Sequence, residues 1–286
     1  MIKHSNQDEK KEKEAVATRT KTWAEFCNTH AYYHYDTKEY PFDVLLRKLW
    51  YGEDAKQDLQ LVHIDRTLFE ARLAKESKSF TDVKNNQLST DQKTVFHQLF
   101  YNEHSPYFHE FRSLYQRFVK EQVLPLFDKK ETEFAVQAMP TFRTQIPDAT
   151  ALGNNTQFFV QKNETKNNIP EEAIGWHCDS QYNHAEGEIN FIVAITEMKD
   201  SNSVWFETKP NNAHYIPVTQ GFGTFMSFYG NKCHHYNKVN QEKTTRISFD
   251  FRIIPMSVYN DDETKRSLTQ NLPFRLGHYF TLMTRT

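Results

Sequence analysis

The hydrophobic pattern of this sequence changes from a helical period to a strand period near residue 132. Between Trp23 and Asp128, apolar side chains recur at spacings of three and four, as in FDVLLRKLWYG and STDQKTVFHQLF, and Ser105 with Pro106 is typical of a helix start. Beyond residue 132, four windows alternate apolar and polar residues: FAVQAMPTFRTQI, GEINFIVAIT, GTFMSFYG and TTRISFDFRII. Helices followed by many short strands predict an α+β protein in which helices pack on one face of a sandwich or barrel.

The same pattern predicts how the chain is organised. Residues 1–20 are charged and nearly free of large apolar side chains, which predicts a disordered tail. Residues 21–286 are expected to form a single domain. Its parts are a helical region at about 21–130, a β-barrel core at about 131–256 and a C-terminal extension at 257–286.

Composition excludes several classes of partner. The 286 residues carry 35 basic and 37 acidic side chains, so no overall field favours nucleic acid or an anionic membrane. The sequence has no apolar segment of signal-peptide type and no run of about 18 apolar residues. Cys27, Cys178 and Cys233 are an odd number of widely spaced thiols, which suits a reducing compartment. We therefore expect a soluble cytoplasmic protein that binds neither nucleic acid nor membrane, and whose oligomeric state the composition does not determine.

The last β window has two chemically different faces. Alternation separates an apolar set from a polar set: Ile247, Phe249, Phe251 and Ile253 on one side, Arg246, Ser248, Asp250 and Arg252 on the other. The apolar side is expected in the core. The polar side is either exposed to water, as in an ordinary amphipathic strand, or lines a pocket inside a closed barrel.

The segment GWHCDSQYNH, residues 175–184, contains a metal-binding pattern. His177 and Asp179 stand two residues apart, so in an extended segment both side chains leave the same face and can reach one ion. The segment NKCHHYNKVN offers a third ligand, either His234 or His235. Two imidazoles and one carboxylate on one side of an octahedron, with three positions open, form the ligand set of non-haem Fe(II) oxygenases.

Three other interpretations of these residues stay open from the pattern alone. Zinc can be held by two histidines and one aspartate with water in the fourth position, and Cys178 and Cys233 lie close by in the sequence. Cys178 would point away from its neighbours in a strand, however, which argues against it as a co-ligand. A Cys-His nucleophile pair is also conceivable, although nothing marks an activated thiolate. Each histidine can equally be an ordinary hydrogen-bonded residue.

An anion site is predicted downstream of these ligands. Arg246 lies eleven residues after His235, and Ser248 shares its strand face. A guanidinium binds both oxygens of a carboxylate, and a neighbouring hydroxyl can donate a further hydrogen bond. The pair is therefore expected to anchor an acidic cosubstrate beside the metal.

In this order and spacing, the motifs resemble those of the Fe(II)/2-oxoglutarate-dependent oxygenases, whose pattern is His-x-Asp, a distant His and a later basic residue, often in Arg-x-Ser. The matching residues are HCD at 177–179, His235 and RIS at 246–248. Within that superfamily, DSQYNHAEGEINFIVAIT, NSVWFE and TRISFDFRI resemble the streptomycin-biosynthesis type of small-molecule oxygenase. The resemblance spans roughly Met139 to Ile254.

The resemblance also bears on the third ligand. In the subgroup the ligand histidine is followed by one residue and then Asn, which here are Tyr236 and Asn237. The resemblance therefore favours His235 as the ligand and leaves His234 as the runner-up. His184 is then expected to lie in a loop or behind the ligands.

A fold and a reaction are implied by this resemblance. The fold is a double-stranded β-helix, a jelly-roll or cupin-like barrel, with the helical region packed on it. Fe(II) is implied at His177, Asp179 and His235, and 2-oxoglutarate at Arg246 and Ser248. With O2 as cosubstrate, decarboxylation of 2-oxoglutarate is coupled to hydroxylation, desaturation or ring closure at a C–H bond, without a catalytic residue beyond the iron centre. Halogenases of this kind replace the carboxylate ligand with a small residue, so Asp179 argues against halogenation.

The expected substrate is a small metabolite, amino-acid-like or carboxylate-bearing, in natural-product biosynthesis. Its contacts are predicted among side chains that share strand faces with inward groups: Arg143, Asn190, Trp205, Glu207 and Arg252. Two alternatives stay open. One is a hydroxylase of protein or peptide side chains with the same fold, and the other is a metal-binding β-barrel without catalytic activity.

Overall fold

The structure, a computed structural model, describes residues 20–63, 95–147, 170–267 and 271–285. Its helices are α1 (Trp23–Asn28), α2 (Phe42–Tyr51), α3 (Val95–Phe100) and α4 (Pro106–Phe118). Helix α4 continues into a π turn at Val119–Val123 and a 3-10 turn at Leu124–Leu126. The segment predicted to be a disordered tail lies outside the described residues, apart from Thr20. Within the described ranges, no helix is long and apolar enough to span a bilayer.

Helix α4 begins where the sequence predicts. Ser105 is extended and precedes Pro106, whose missing N–H costs nothing in the first turn of a helix. The predicted apolar stripe is buried, with Phe108, Phe111 and Tyr115 turned into the core. The helix therefore forms because its spacing of three and four gives it one face to bury.

The strands form two antiparallel sheets. The larger contains β1 (Ala31–His34), β2 (Glu133–Gln137), β3 (Thr141–Gln145), β5 (Ile189–Ala194), β8 (Thr224–Phe228), β10 (Arg246–Pro255) and β11 (Phe280–Thr284). The smaller contains β4 (Ile174–His177), β6 (Val204–Glu207), β7 (Tyr215–Pro217) and β9 (His235–Asn237). The predicted combination of helices with a β half is confirmed, and both sheets are antiparallel.

Strand order places β10 in the middle of the larger sheet. The order is β1-β8-β5-β10-β2-β11, and β3 also pairs with β10, along its first half. In the smaller sheet the order is β4-β9-β6-β7. From β3 onward the chain passes repeatedly from one sheet to the other, so most paired strands, apart from β6 and β7, are not consecutive in sequence.

Two edge strands were not predicted. Strand β1 lies inside the region expected to be helical and pairs with β8, while β11 lies in the C-terminal extension and pairs with β2. Both are short, with four and five residues, and segments of this length give too little sequence for a strand period to be recognised. They form because the edges of a sheet offer unpaired backbone N–H and C=O groups.

The apolar face of β10 holds the helices on the larger sheet. The ring of Phe249 lies 5.0 Å from that of Phe42 in α2 and 5.6 Å from that of Phe111 in α4. Phe251 contacts Tyr115 of α4 at 5.2 Å. Aromatic side chains bury large apolar areas, so these contacts form the main core between helices and sheet.

The polar face of β10 is also buried. Arg246 and Ser248 are 1% exposed and Arg252 is 6% exposed. The guanidinium of Arg246 donates to Asn237 Oδ1 of β9 at 2.8 Å, and Arg252 bonds Asp179, which follows β4. This face therefore points toward the smaller sheet and not into water.

The space between the sheets is apolar at the β5-β8 side. Ile192, Met226 and Phe228 of the larger sheet pack there with Phe206 of the smaller sheet. Phe206 and Phe228 lie 5.5 Å apart, centroid to centroid. The region beside β3, β4, β9 and β10 is polar, and it is where the candidate site lies.

We expect Phe249→Ala to lower the free energy of unfolding by about 3–5 kcal/mol, because it removes a buried ring that contacts both packed helices. Chemical denaturation monitored by circular dichroism measures this change. Leu282→Ala on β11 is the control, since Leu282 is 50% exposed and surface changes stay within about 0.5 kcal/mol. Equal stability of the two variants would contradict the assignment of this core.

Candidate metal centre

Three potential metal ligands meet where β4 ends and β9 begins. His177 is the last residue of β4, His235 is the first of β9, and the two are paired in register. Asp179 follows in a short 3-10 turn. One ligand atom from each of the three lies within 4.8 Å of the others, so the group could hold a metal ion. Asp179 Oδ1 lies 3.7 Å from His177 Nε2 and 3.5 Å from His235 Nε2.

Backbone carbonyls orient both imidazoles. His177 Nδ1 lies 2.5 Å from the carbonyl oxygen of Gly175, and His235 Nδ1 lies 3.1 Å from that of Cys233. A carbonyl can only accept, so each Nδ1 carries a proton, and each ring turns its Nε2 toward Asp179 Oδ1. Burial, together with the neighbouring His235, lowers the pKa of His177 to about 3, which keeps this ring neutral.

Asp179 is a buried carboxylate that stays ionised. Burial alone would raise its pKa, but the Arg252 guanidinium and the interaction with His235 hold the pKa well below the ordinary range. Its Oδ2 accepts hydrogen bonds from Asn190 and Arg252. The centre thus combines one anionic oxygen with two imidazole rings, a set that suits a divalent transition metal.

The predicted anion-binding pair lies on the adjoining part of β10. Arg246 bonds Asn237, which stands two residues after His235 and on the same face of β9. Ser248 is paired in register with Arg143 of β3, so both share the inward face of the larger sheet. The structure therefore brings Arg246 and Ser248 into the same polar region as the three ligands.

His234 does not join the ligand cluster. Its ring stacks on Trp176, with centroids 3.9 Å apart, and its Nδ1 lies 3.3 Å from Glu207 Oε2. Adjacent residues in a strand point to opposite faces, so His234 is directed away from the side on which His235 lies. Of the two adjacent histidines, the structure places His235 beside His177 and Asp179.

The cysteines lie outside the cluster as well. Among the described residues, the group able to hold a metal contains two histidines and one aspartate and no thiol. Burial raises the pKa of Cys27 and of Cys233 to about 12, so neither is an activated thiolate. Cys178 Sγ lies 3.2 Å from Ser180 Oγ. These observations support neither a cysteine co-ligand nor a Cys-His nucleophile.

The five residues predicted to contact substrate differ in their neighbours and in the strand face on which they lie. Asn190 and Arg252 bond Asp179. Arg143 lies on the inward face, pairs with Asp250 at 2.7 Å and keeps 25% of its side chain exposed.

Trp205 and Glu207 flank Phe206, which is the residue of β6 paired with His235, so they lie on the opposite face of that strand. Glu207 accepts from the backbone N–H of Ala213 at 2.7 Å and of His234 at 3.2 Å. A substrate-binding role for any of the five stays a prediction.

Sequence reasoning missed two residues near the centre. Glu188 is fully buried and lies 2.7 Å from His184 Nδ1 and 3.4 Å from Arg252 Nε. Tyr182 is 41% exposed and its ring stands edge-on to His177, with centroids 4.8 Å apart. An acidic residue four positions after a histidine was the sequence signal for the first, whereas no local pattern marks the second.

The chain has a relative of known pathway. No protein-family model matches the sequence. The chain is 29% identical to the streptomycin biosynthesis protein StrG of Streptomyces griseus over 191 residues, which are 67% of this chain and 77% of StrG. The predicted resemblance is confirmed.

Solved structures show a weaker likeness. The non-haem monooxygenase ThoJ in its nickel complex is 12% identical with a TM-score of 0.38, covering 82% of this chain and 77% of that chain. SnoK, a non-haem α-ketoglutarate-dependent carbocyclase from nogalamycin biosynthesis, is 12% identical with a TM-score of 0.39, covering 61% and 72%. Because both TM-scores are below 0.5, these structures do not support an assignment of function, and the candidate site is argued from the residues of this chain alone.

We expect His177→Ala, Asp179→Ala and His235→Ala each to weaken Co2+ binding by more than about 100-fold. Replacing a residue that only orients a metal ligand typically costs about 10- to 100-fold in affinity. Isothermal titration of the metal-free protein with Co2+ measures the affinity. His234→Ala is the matched control, because it removes an adjacent imidazole that lies outside the cluster, and it should bind Co2+ like the unsubstituted protein. An equal loss in His234→Ala and His235→Ala would show that this ligand set is wrong.

Proposed function

We propose that the protein is an Fe(II)/2-oxoglutarate-dependent oxygenase that oxidises a C–H bond of a small, carboxylate-bearing metabolite in a biosynthetic pathway. The proposal rests on one observation. Two imidazole nitrogens and one carboxylate oxygen converge beside a buried arginine, within a polar region between two sheets. The 29% sequence identity to the streptomycin biosynthesis protein StrG supports the biosynthetic setting.

The strand order supports the fold that this function implies. Strands β3, β10, β5 and β8 lie in one sheet, and β4, β9, β6 and β7 lie in the other. Eight antiparallel strands divided in this way between two facing sheets are typical of a jelly roll. We include the double-stranded β-helix in the proposal, with the helices on the outer face of the larger sheet.

His177, Asp179 and His235 would hold the Fe(II) ion. Three protein ligands on one side leave positions for a bidentate cosubstrate and for O2. When bound, the iron supplies the oxidising chemistry, in which 2-oxoglutarate and O2 give succinate and CO2 and one oxygen atom becomes available to a substrate C–H bond. The part of the protein is to position both molecules and to keep competing reactants away.

Arg246 is suited to bind the distal carboxylate of 2-oxoglutarate. Its partner Asn237 stands two residues from the ligand His235 on the same strand face, which corresponds to about 7 Å along β9. A five-carbon dicarboxylate that reaches the metal with one end spans a similar length. Because Arg246 is buried, its ion pair with a carboxylate would be shielded from water.

Ser248 would complete this anion site. It follows Arg246 on the same face of β10 and is equally buried. A hydroxyl in this position can donate one hydrogen bond to a carboxylate that the guanidinium already binds. The pair therefore recognises a planar anion and leaves the opposite side of the region for the substrate.

Arg143 is the residue that we assign to the substrate carboxylate. Its side chain is partly exposed on the inward face, whereas Arg252 is buried in an ion pair with Asp179. Glu207 faces the other way, so the paired recognition of a zwitterion by Arg143 and Glu207 is not part of this proposal. Hydroxylation, desaturation and ring closure would all use the same arrangement.

The proposal predicts a spectroscopic signal. Under anaerobic conditions, Fe(II) and then 2-oxoglutarate should give the weak visible charge-transfer absorption of the chelate. Arg246→Met should raise the 2-oxoglutarate concentration needed for half of this signal by about 10- to 150-fold, since a hydrogen bond to a charged group contributes roughly 1.5–3 kcal/mol.

Arg275→Met is the control for the loss of a positively charged side chain. Arg275 pairs with Asp261 and Glu263 on the surface, and its replacement should leave the signal unchanged. Absence of any absorption from the unsubstituted protein with metal bound would refute the proposal and favour a metal-binding barrel without catalytic activity.

A further inference from the structure

We infer that Arg252 and Asn190 act together as positioning residues that restrict Asp179 to a single metal-binding oxygen. We call these two residues the Asp179 clamp. The inference rests on the metal site of the proposed function, but it concerns groups that do not touch the metal. The sequence predicts both members as substrate contacts, and the structure shows that both bond Asp179.

The contacts of Arg252 with Asp179 go to one oxygen. Arg252 Nε and Nη2 lie 3.0 Å and 2.9 Å from Oδ2. An arginine usually pairs with a carboxylate through two parallel bonds, one to each oxygen. Here both nitrogens converge on Oδ2, while Oδ1 faces the Nε2 atoms of His177 and His235. The geometry thus keeps Oδ1 available to the metal.

Arg252 is itself held from several sides. Its Nη1 lies 3.3 Å from Asp250 Oδ2 and 3.3 Å from the Tyr279 hydroxyl, and its Nε lies 3.4 Å from Glu188 Oε2. Asp250 is paired in turn with Arg143. A buried guanidinium that bonds three carboxylates cannot rotate without leaving a charge unpaired, so its orientation is fixed.

Asn190 is fixed by the backbone near Asp179. Its Oδ1 accepts from the Gly230 N–H at 3.2 Å, which leaves Nδ2 to donate to Asp179 Oδ2 at 2.7 Å. The Gly230 carbonyl accepts from the Asp179 N–H at 2.9 Å. A Cβ on Gly230 would lie 2.7 Å from Asn190 Nδ2, so only glycine permits this approach. The same glycine therefore positions both partners of the hydrogen bond.

The clamp has a consequence for the number of open metal positions. A carboxylate that binds through both oxygens occupies two positions of an octahedron and leaves two. With Oδ2 held by Arg252 and Asn190, Asp179 would occupy one position of a bound metal, and a two-histidine, one-carboxylate set would leave three open. Three positions are what a bidentate cosubstrate and O2 require together. The clamp would thus determine how many coordination positions of the metal stay open.

The test is Co2+ binding to folded, metal-free variants. Arg252→Met and Asn190→Ala should each weaken Co2+ affinity by about 10- to 100-fold, the usual effect of losing a residue that orients a ligand. Arg252→Lys, which keeps the charge but not the two converging N–H groups, should recover part of the affinity. The visible ligand-field absorption of bound Co2+ should also change in Arg252→Met, because Asp179 can then use both oxygens.

Arg285→Met is the matched control. The Arg285 guanidinium donates to the carbonyl oxygens of Leu124, Phe127 and Asp128, and it lies outside the candidate site. This variant should lower stability and leave the affinity and spectrum of bound Co2+ unchanged. Circular dichroism identifies the folded variants, and Asn190→Ala, which removes no charge, tests the clamp if Arg252→Met does not fold.

Two outcomes separate this inference from the proposed function. Unchanged Co2+ affinity and absorption in folded Asn190→Ala and in the folded Arg252 variants, with binding lost in Asp179→Ala, would overturn the clamp alone. Unchanged affinity in Asp179→Ala itself would show that the metal binds elsewhere, and the proposed function would fail with it.

Discussion

The fold and the candidate site both depend on strand β10, which is buried on its two faces. One face supplies the aromatic rings on which α2 and α4 pack, and the other supplies Arg246 and Arg252. Burying charged side chains is unfavourable unless each is paired. The pairing groups come from the smaller sheet and the turn after β4, so the two sheets are held together partly by the polar groups of the site.

Much of this arrangement was predictable because local chemistry and strand period coincide. Strand β10 alternates apolar and polar residues from Arg246 to Ile253, so its two faces follow from the sequence alone. The two-residue spacing of His177 and Asp179 likewise places both on one side of an extended segment. The choice between His234 and His235 came from the family resemblance, since neither period nor composition distinguishes adjacent histidines.

The rest could not be predicted because it depends on partners that are distant in sequence. Whether the polar face of β10 meets water or protein is decided by the smaller sheet. The window VWFE has large side chains on both faces, and only its register with β9 shows that Phe206 points inward while Trp205 and Glu207 do not. Asn190 and Arg252 are 62 positions apart in the chain, yet they are paired across β5 and β10 and bond the same carboxylate oxygen.

The ion pair between Arg252 and Asp179 also affects how the protein relates to its metal. A buried carboxylate without a cationic partner destabilises the folded state. Proteins with such a site often fold only when they bind the metal ion. Here the guanidinium balances the charge of Asp179 permanently. The charge of Asp179 is therefore compensated by a group of the protein itself, whether or not a cation is bound.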